Sequence, residues 1–425
     1  MPAGLPPEVW RIVFSHLTTQ MSPINHSGFS AEALWKSCTF PDPRTPRDFT
    51  TTAKFMDDAI PCRLWKPEFK PSAEALSVVQ VCHVWHDIGM EFLYHTVVFS
   101  IIKHFNVLRD ILAPPYSRGR FVRRVRIARP LPVMPGELQN ILNHCPGIQD
   151  FEAHPIYSRR LFSSLAGQSS MRHCFFAQRD PVSLFGTTRV NLSLFTNLQT
   201  LHIVAMGPIE QMPAFIPQLV VLVLKSKDGP SDYHQYVAEW TLPSLRVLVC
   251  QWITTPHLHA LCNAFAKTLE LLEVIQYDSW YTRPETLEMP MLKCLVIDWI
   301  PPFRGYTPRF NTPRHFHSLP SLTTIYIESI NQSLRVTSAT AVAAEMAQEI
   351  AVLNPESRLA PRLQTLYIGA ELGDVAGGAL ERSFATSAAF GWALRGRDGL
   401  WKVADDGKLK LAEPVTAYGS ECRRD

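Results

Sequence analysis

The chain has 425 residues, 46% hydrophobic and 19% charged, a composition that buries a large core and excludes an intrinsically disordered protein. A formal net charge of +3 is too small for this length to point to nucleic acid or an anionic membrane as partner. The longest purely aliphatic run, residues 219–224, falls far short of the roughly twenty residues that span a bilayer. The nine cysteines form no CxxC pair and follow no secretory leader, so a reduced, intracellular protein is expected.

The first element is "LPPEVWRIVFSHL" at residues 5–17. Pro6 and Pro7 suit a first helical turn, whose amides have no intrahelical acceptor, and Glu8 favours the positive end of the helix. Val9, Ile12, Val13 and Leu17 fall on one stripe, which Trp10 and Phe14 widen. Residues 18–72 come next, with seven prolines but also Trp35, Trp65 and five phenylalanines, too aromatic for a plain linker. A second apolar helix is expected in "AEALSVVQVCHVWHDIGMEFLYHTVVF", where Val78, Val81, Cys82, Trp85, Ile88 and Phe92 recur at helical spacing before the period changes to strand at Tyr94. These two stretches together resemble the F-box: Leu5 and Pro6 match its leucine-proline start, the Val9 to Leu17 stripe its first helix, and Val81, Cys82 and Trp85 its V-C-x-x-W segment. The insert at 18–72 stands where that family has a short connection. The resemblance implies an adaptor whose F-box helices dock on the SKP-type linker of a cullin-RING ubiquitin ligase, through Leu5, Pro6, Val9, Trp10, Val13, Leu17, Val81, Cys82, Trp85 and Ile88. The alternative is that both helices simply cap the apolar end of a repeat array.

From Val122 onward a phrase of form L-x-x-L-x-I recurs, as in "SLRVLVC", "MLKCLVI", "SLTTIYI" and "RLQTLYI". It begins at Val122, Ile148, Met171, Leu198, Leu219, Leu245, Leu269, Leu292, Leu322 and Leu363. The intervals run from 21 to 30 residues, apart from a last one of 41. Each phrase reads as a short strand, and the proline or asparagine ahead of many of them ends the previous element. Helix-compatible stretches lie between, at "ELQNILNHC", "HLHALCNAFAKTL" and "AVAAEMAQEIAVL". Residues 121–370 resemble irregular leucine-rich repeats, without that family's Asn or Cys ladder, so the corner hydrogen bonds must come from elsewhere. The resulting fold class is α/β: an N-terminal F-box-like helical region (1–99, interrupted at 18–72), then a solenoid with a curved parallel sheet and outer helices (100–370), then a cap or mobile tail (371–425). "LWKVADDGKLKL" in that tail suggests a hairpin turned at Asp406 and Gly407.

In such strands the third and fifth residues of the phrase face away from the helices. From 219 to 296 those places hold Val221, Val223, Val247, Val249, Leu271, Glu273, Cys294 and Val296, with Trp252 and Trp299 just beyond two strands, a largely apolar band expected to meet a substrate protein or the chain's own tail. The run "RGRFVRRVRIAR" adds Arg124 and Arg126 as candidates for an acidic or phosphorylated segment. A solvated sheet edge, or pairing with Asp150 and Glu152 on the next strand, would also account for that run. GxSxG, P-loop, dinucleotide and HExxH patterns are absent, and the nearest metal spacings (His257 with His259, His315 with His317, Cys82 with His86) lack further ligands. No catalytic residue, metal or cofactor is therefore assigned. The function expected is substrate recognition for an SCF-type ligase, with a repeat scaffold lacking ligase partnership as the alternative.

Overall fold

The computed structural model describes residues 9–10, 80, 82–99, 102–127, 135–153, 165, 168–177, 192–205, 214–226, 233–278, 287–299, 316–329, 359–368, 393–396, 399–403 and 409–414. The chain divides into two compact units, Met1–Leu245 and Arg246–Asp425.

In the first unit, helix α1 (His83–Leu93) leads into strand β1 (Thr96–Phe99), helix α2 (Ile102–Leu112), β2 (Arg124–Ile127), helix α3 (Pro135–Asn143), β3 (Asp150–Ala153), β4 (His173–Ala177), β5 (Thr200–Ala205), β6 (Val221–Ser226) and the short helix α4 (Tyr233–Val237). The six strands pair in chain order and all in parallel. In the second unit β7 (Val247–Thr254) is followed by helix α5 (Thr255–Phe265), β8 (Leu271–Asp278), β9 (Leu287–Glu288), β10 (Cys294–Trp299), β11 (Phe316–Ser318), β12 (Thr324–Ser329), β13 (Thr365–Ile368), β14 (Ala393–Gly396), β15 (Gly399–Val403) and β16 (Leu409–Pro414). Here β7, β8, β10, β12, β13 and β14 pair in parallel, while β9 and β11 form a small separate parallel ladder. Both units are α/β.

Every strand beginning expected from the phrase is met, since each strand from β2 onward through β13, β9 and β11 aside, opens on the third residue of its phrase. The fourth and sixth residues form the core: Val125 with Ile127, Leu222 with Leu224, Leu248 with Cys250 and Leu272 with Val274 are all buried. Two of the three expected helices are present as α3 and α5; the third, near 341, lies outside the described residues.

The tight corner ahead of most of these strands has a common construction. The opening residue of the phrase donates its amide to the carbonyl three residues back, as from Leu219 to Ile216, Leu245 to Leu242, Leu292 to Met289, Leu322 to Leu319 and Leu363 to Ala360. Proline occupies the second place of all five turns (Pro217, Pro243, Pro290, Pro320, Pro361), where its fixed φ suits a β-turn. The residue just before the phrase then supplies the missing corner bond: Ser244 Oγ donates to the Pro217 carbonyl at 2.6 Å, Ser321 Oγ to the Pro290 carbonyl at 2.6 Å, and Asn197 Nδ2 to the Ser169 carbonyl at 2.6 Å. Ser170 does the same, reaching the Pro146 and Ile148 carbonyls. A Ser or Asn corner bond thus stands ahead of β4, β5, β7 and β12, where the resemblance would place an Asn or Cys ladder after the strands.

Three features differ from the sequence expectations. Strand β1 is a full repeat, its phrase starting at Tyr94, because the His95 carbonyl takes the amides of both Arg123 and Arg124 as later repeats do. Helix α1 begins only at His83, with Cys82 extended at its cap, so Cys82 does not share the helical stripe. The chain after 370 extends the sheet: β14 adds a parallel strand, and β15 and β16 continue it antiparallel. The β15–β16 pair is the hairpin anticipated there; Asp406 and Gly407 lie outside the described residues.

Replacing Leu222 by Ala, which empties a fully buried site, should lower stability by about 3 kcal/mol. Ser244→Ala, which removes one corner bond, should cost about 1 kcal/mol. Urea denaturation of the two variants against the parent chain measures both.

Candidate functional site

Burial and charge single out two places in the first unit. At its N-terminal end Val9 and Trp10 are helical, and the Trp10 ring lies against that of Trp85 with centroids 4.5 Å apart and planes tilted by 55°. Trp85, Ile88 and Phe92 occupy one stripe of α1, and Trp10 completes their cluster around the buried Ile88. Such an aromatic pair contributes about 0.5–1.5 kcal/mol beyond its area. Both tryptophans remain half-buried, and Val84, next to Trp85, is 56% exposed. Of the residues expected at a linker-docking surface, the structure brings together Trp10, Trp85 and Ile88. It places Val9 beside Trp10 in the chain and leaves Cys82 exposed at the cap. Leu5, Pro6, Val13, Leu17 and Val81 lie outside the described residues.

Helix α1 meets the sheet at His95. Burial chiefly, then the Arg124 charge, opposed by Asp150, and lastly Arg123 bring its imidazole down to about 4 from an ordinary 6.5. Arg123 itself is turned onto backbone, its Nη1 donating to the carbonyls of Arg120, Val122 and Gly147. A Cβ at Gly147 would overlap that guanidinium, so a larger residue there would push the Arg123 side chain off its backbone acceptors.

The second place is the sheet face formed by the third and fifth residues of each phrase. Parallel register sets Arg124 beside Asp150 and Arg126 beside Glu152. The pairs close at 2.6 Å (Arg124 Nε to Asp150 Oδ2) and 3.2 Å (Arg126 Nε to Glu152 Oε1), with His173 Nε2 3.8 Å from the other Asp150 oxygen. Beyond them Phe175 and His202 meet edge to face at 4.3 Å. Pairing with the neighbouring strand therefore describes Arg124 and Arg126, whereas a sheet edge does not, since β2 lies between β1 and β3. An incoming phosphate would have to displace two carboxylates that are themselves largely buried.

The apolar band, expected to meet a substrate protein or the chain's own tail, is buried in this structure. Val221 and Val223 in the first unit are 3% and 2% exposed, and in the second unit Val247, Val249, Leu271 and Val296 lie between 0% and 2%. The physical reason is that β-branched and leucine side chains at those places mark a parallel sheet buried on both faces, as such sheets usually are. Glu273 stands among them, 2% exposed, in register with Val249 on one side and Val296 on the other. Trp252 and Trp299 belong to β7 and β10, but their side chains are not among those described.

Sequence reasoning missed His95 as the junction residue and the Ser and Asn corner ladder. The first carries no distinctive local pattern; the second was legible in the recurring "PSL" of residues 243–245 and 320–322. Burial raises the thiols of Cys145 and Cys262 to about 12 and those of Cys174 and Cys250 well above their ordinary range, so these four are poor nucleophiles at neutral pH. Among the described residues no three His, Cys, Asp or Glu side chains group as a metal site, and no helix is long and apolar enough to cross a membrane. No known protein family matches the chain, and no curated protein matches it.

The charges make two effects measurable. The folded chain holds His95 neutral down to about pH 4, while the unfolded chain takes up a proton near 6.5. Stability should thus fall by about 2–3 kcal/mol as pH drops from 6.5 to 4. His95→Gln should flatten that part of a pH series of urea midpoints. Arg124→Ala alone strands the Asp150 carboxylate and should cost about 2 kcal/mol, whereas the double variant with Asp150→Ala should recover at least half, as a double-mutant cycle would read.

Proposed function

We propose that this protein is the substrate-recognition adaptor of an SCF-type cullin-RING ubiquitin ligase, its F-box-like helices docking on the SKP-type linker and an irregular leucine-rich-repeat solenoid holding a substrate protein. The observation that carries this reading is the packing of Trp10 against Trp85 over Ile88. Residues 75 positions apart, on either side of the 18–72 insert, join one cluster, as a two-part docking surface requires. Half-exposed tryptophans next to an exposed Val84 are the kind of side chains that act as binding anchors once a partner covers them. The adaptor does no chemistry itself and works inside the cell without a cofactor. Arg124 and Arg126 of β2, with side chains 22% and 33% exposed, offer a substrate more accessible ground than the buried apolar residues.

A repeat scaffold without ligase partnership is favoured by one fact: the same cluster already buries Ile88 within the chain, as an end cap would. Val84 tests the docking surface, because its exposure lets it be changed without touching the cluster. In copurification with a SKP-type linker, the parent chain should retain the linker and Val84→Glu should weaken retention at least tenfold, about 1.4 kcal/mol. Val107→Glu, at a valine 58% exposed on α2, should leave it unchanged. A parent chain that fails to hold the linker removes the adaptor reading and leaves the scaffold, and a Val84→Glu variant that binds as the parent does removes the α1 surface around Val84 from the docking site.

A further inference from the structure

We draw no further inference here: the strongest candidate, the buried face of strands β7, β8 and β10 on which Val249, Glu273 and Val296 stand in register, carries nothing because nothing in the structure shows what covers it.

Discussion

In eight repeats one backbone carbonyl, on the residue after the opening residue of the phrase, receives two successive amide protons from the next repeat. In the first unit His95, Arg123, Gln149, Arg172 and Gln199 play this part; in the second, Arg246, Glu270 and Lys293 do. Because the shared acceptor is always at the same place in the phrase, neighbouring strands have no freedom to slip. A slip of one residue would carry every leucine from the helix-facing side to the other side. The acceptor uses both lone pairs at a point where the chain leaves a turn and enters a strand, so few polar backbone groups are left without a partner there.

The side-chain rows result from that register. A repeat with arginine at its third and fifth places, set beside one with Asp150 and Glu152, gives two ion pairs with no adjustment of the backbone. The same rule applied to the second unit sets Val249 and Val296 on either side of Glu273. A surface row shows it as well: Glu270 lies between Arg246 and Lys293, 3.4 Å and 3.0 Å away, at the second place of three consecutive repeats. Being exposed on the basic side, these last pairs add little stability. At the N-terminal end the register reaches the tryptophan cluster through His95, which is at once the last link from α1 and the first acceptor of the array.

How much of this was legible depends on the distance over which each signal acts. The strands were readable because their leucines alternate within six residues, and the pairing of Arg124 with Asp150 because equal places in equal phrases become neighbours. That β7, β8 and β10 are buried on both faces was not readable, since Val249 is as good a strand former on a solvated face as on a buried one. The start of α1 was misplaced because Val78, Val81 and Cys82 fit a helical period, while the chain at Cys82 is extended. Tyr94 to Phe99 looked like a lead-in, since its phrase has tyrosine in place of leucine; only the bonds to the His95 carbonyl identify it as a repeat.

The corner ladder has an evolutionary corollary. Its serines and asparagine reach only to the turn of the preceding repeat, so neither the hydroxyl nor the proline beside it senses how much chain lies between one strand and the next corner. Ser170 reaches back over 24 residues to Pro146 and Ser321 over 31 to Pro290, and the flanking strands match residue for residue in both cases. Closing the longer loop costs well under 1 kcal/mol more, since the penalty grows only with the logarithm of length. Such a lineage can acquire or shed whole segments between strands, and diversify there, while the ladder that aligns them stays as it was.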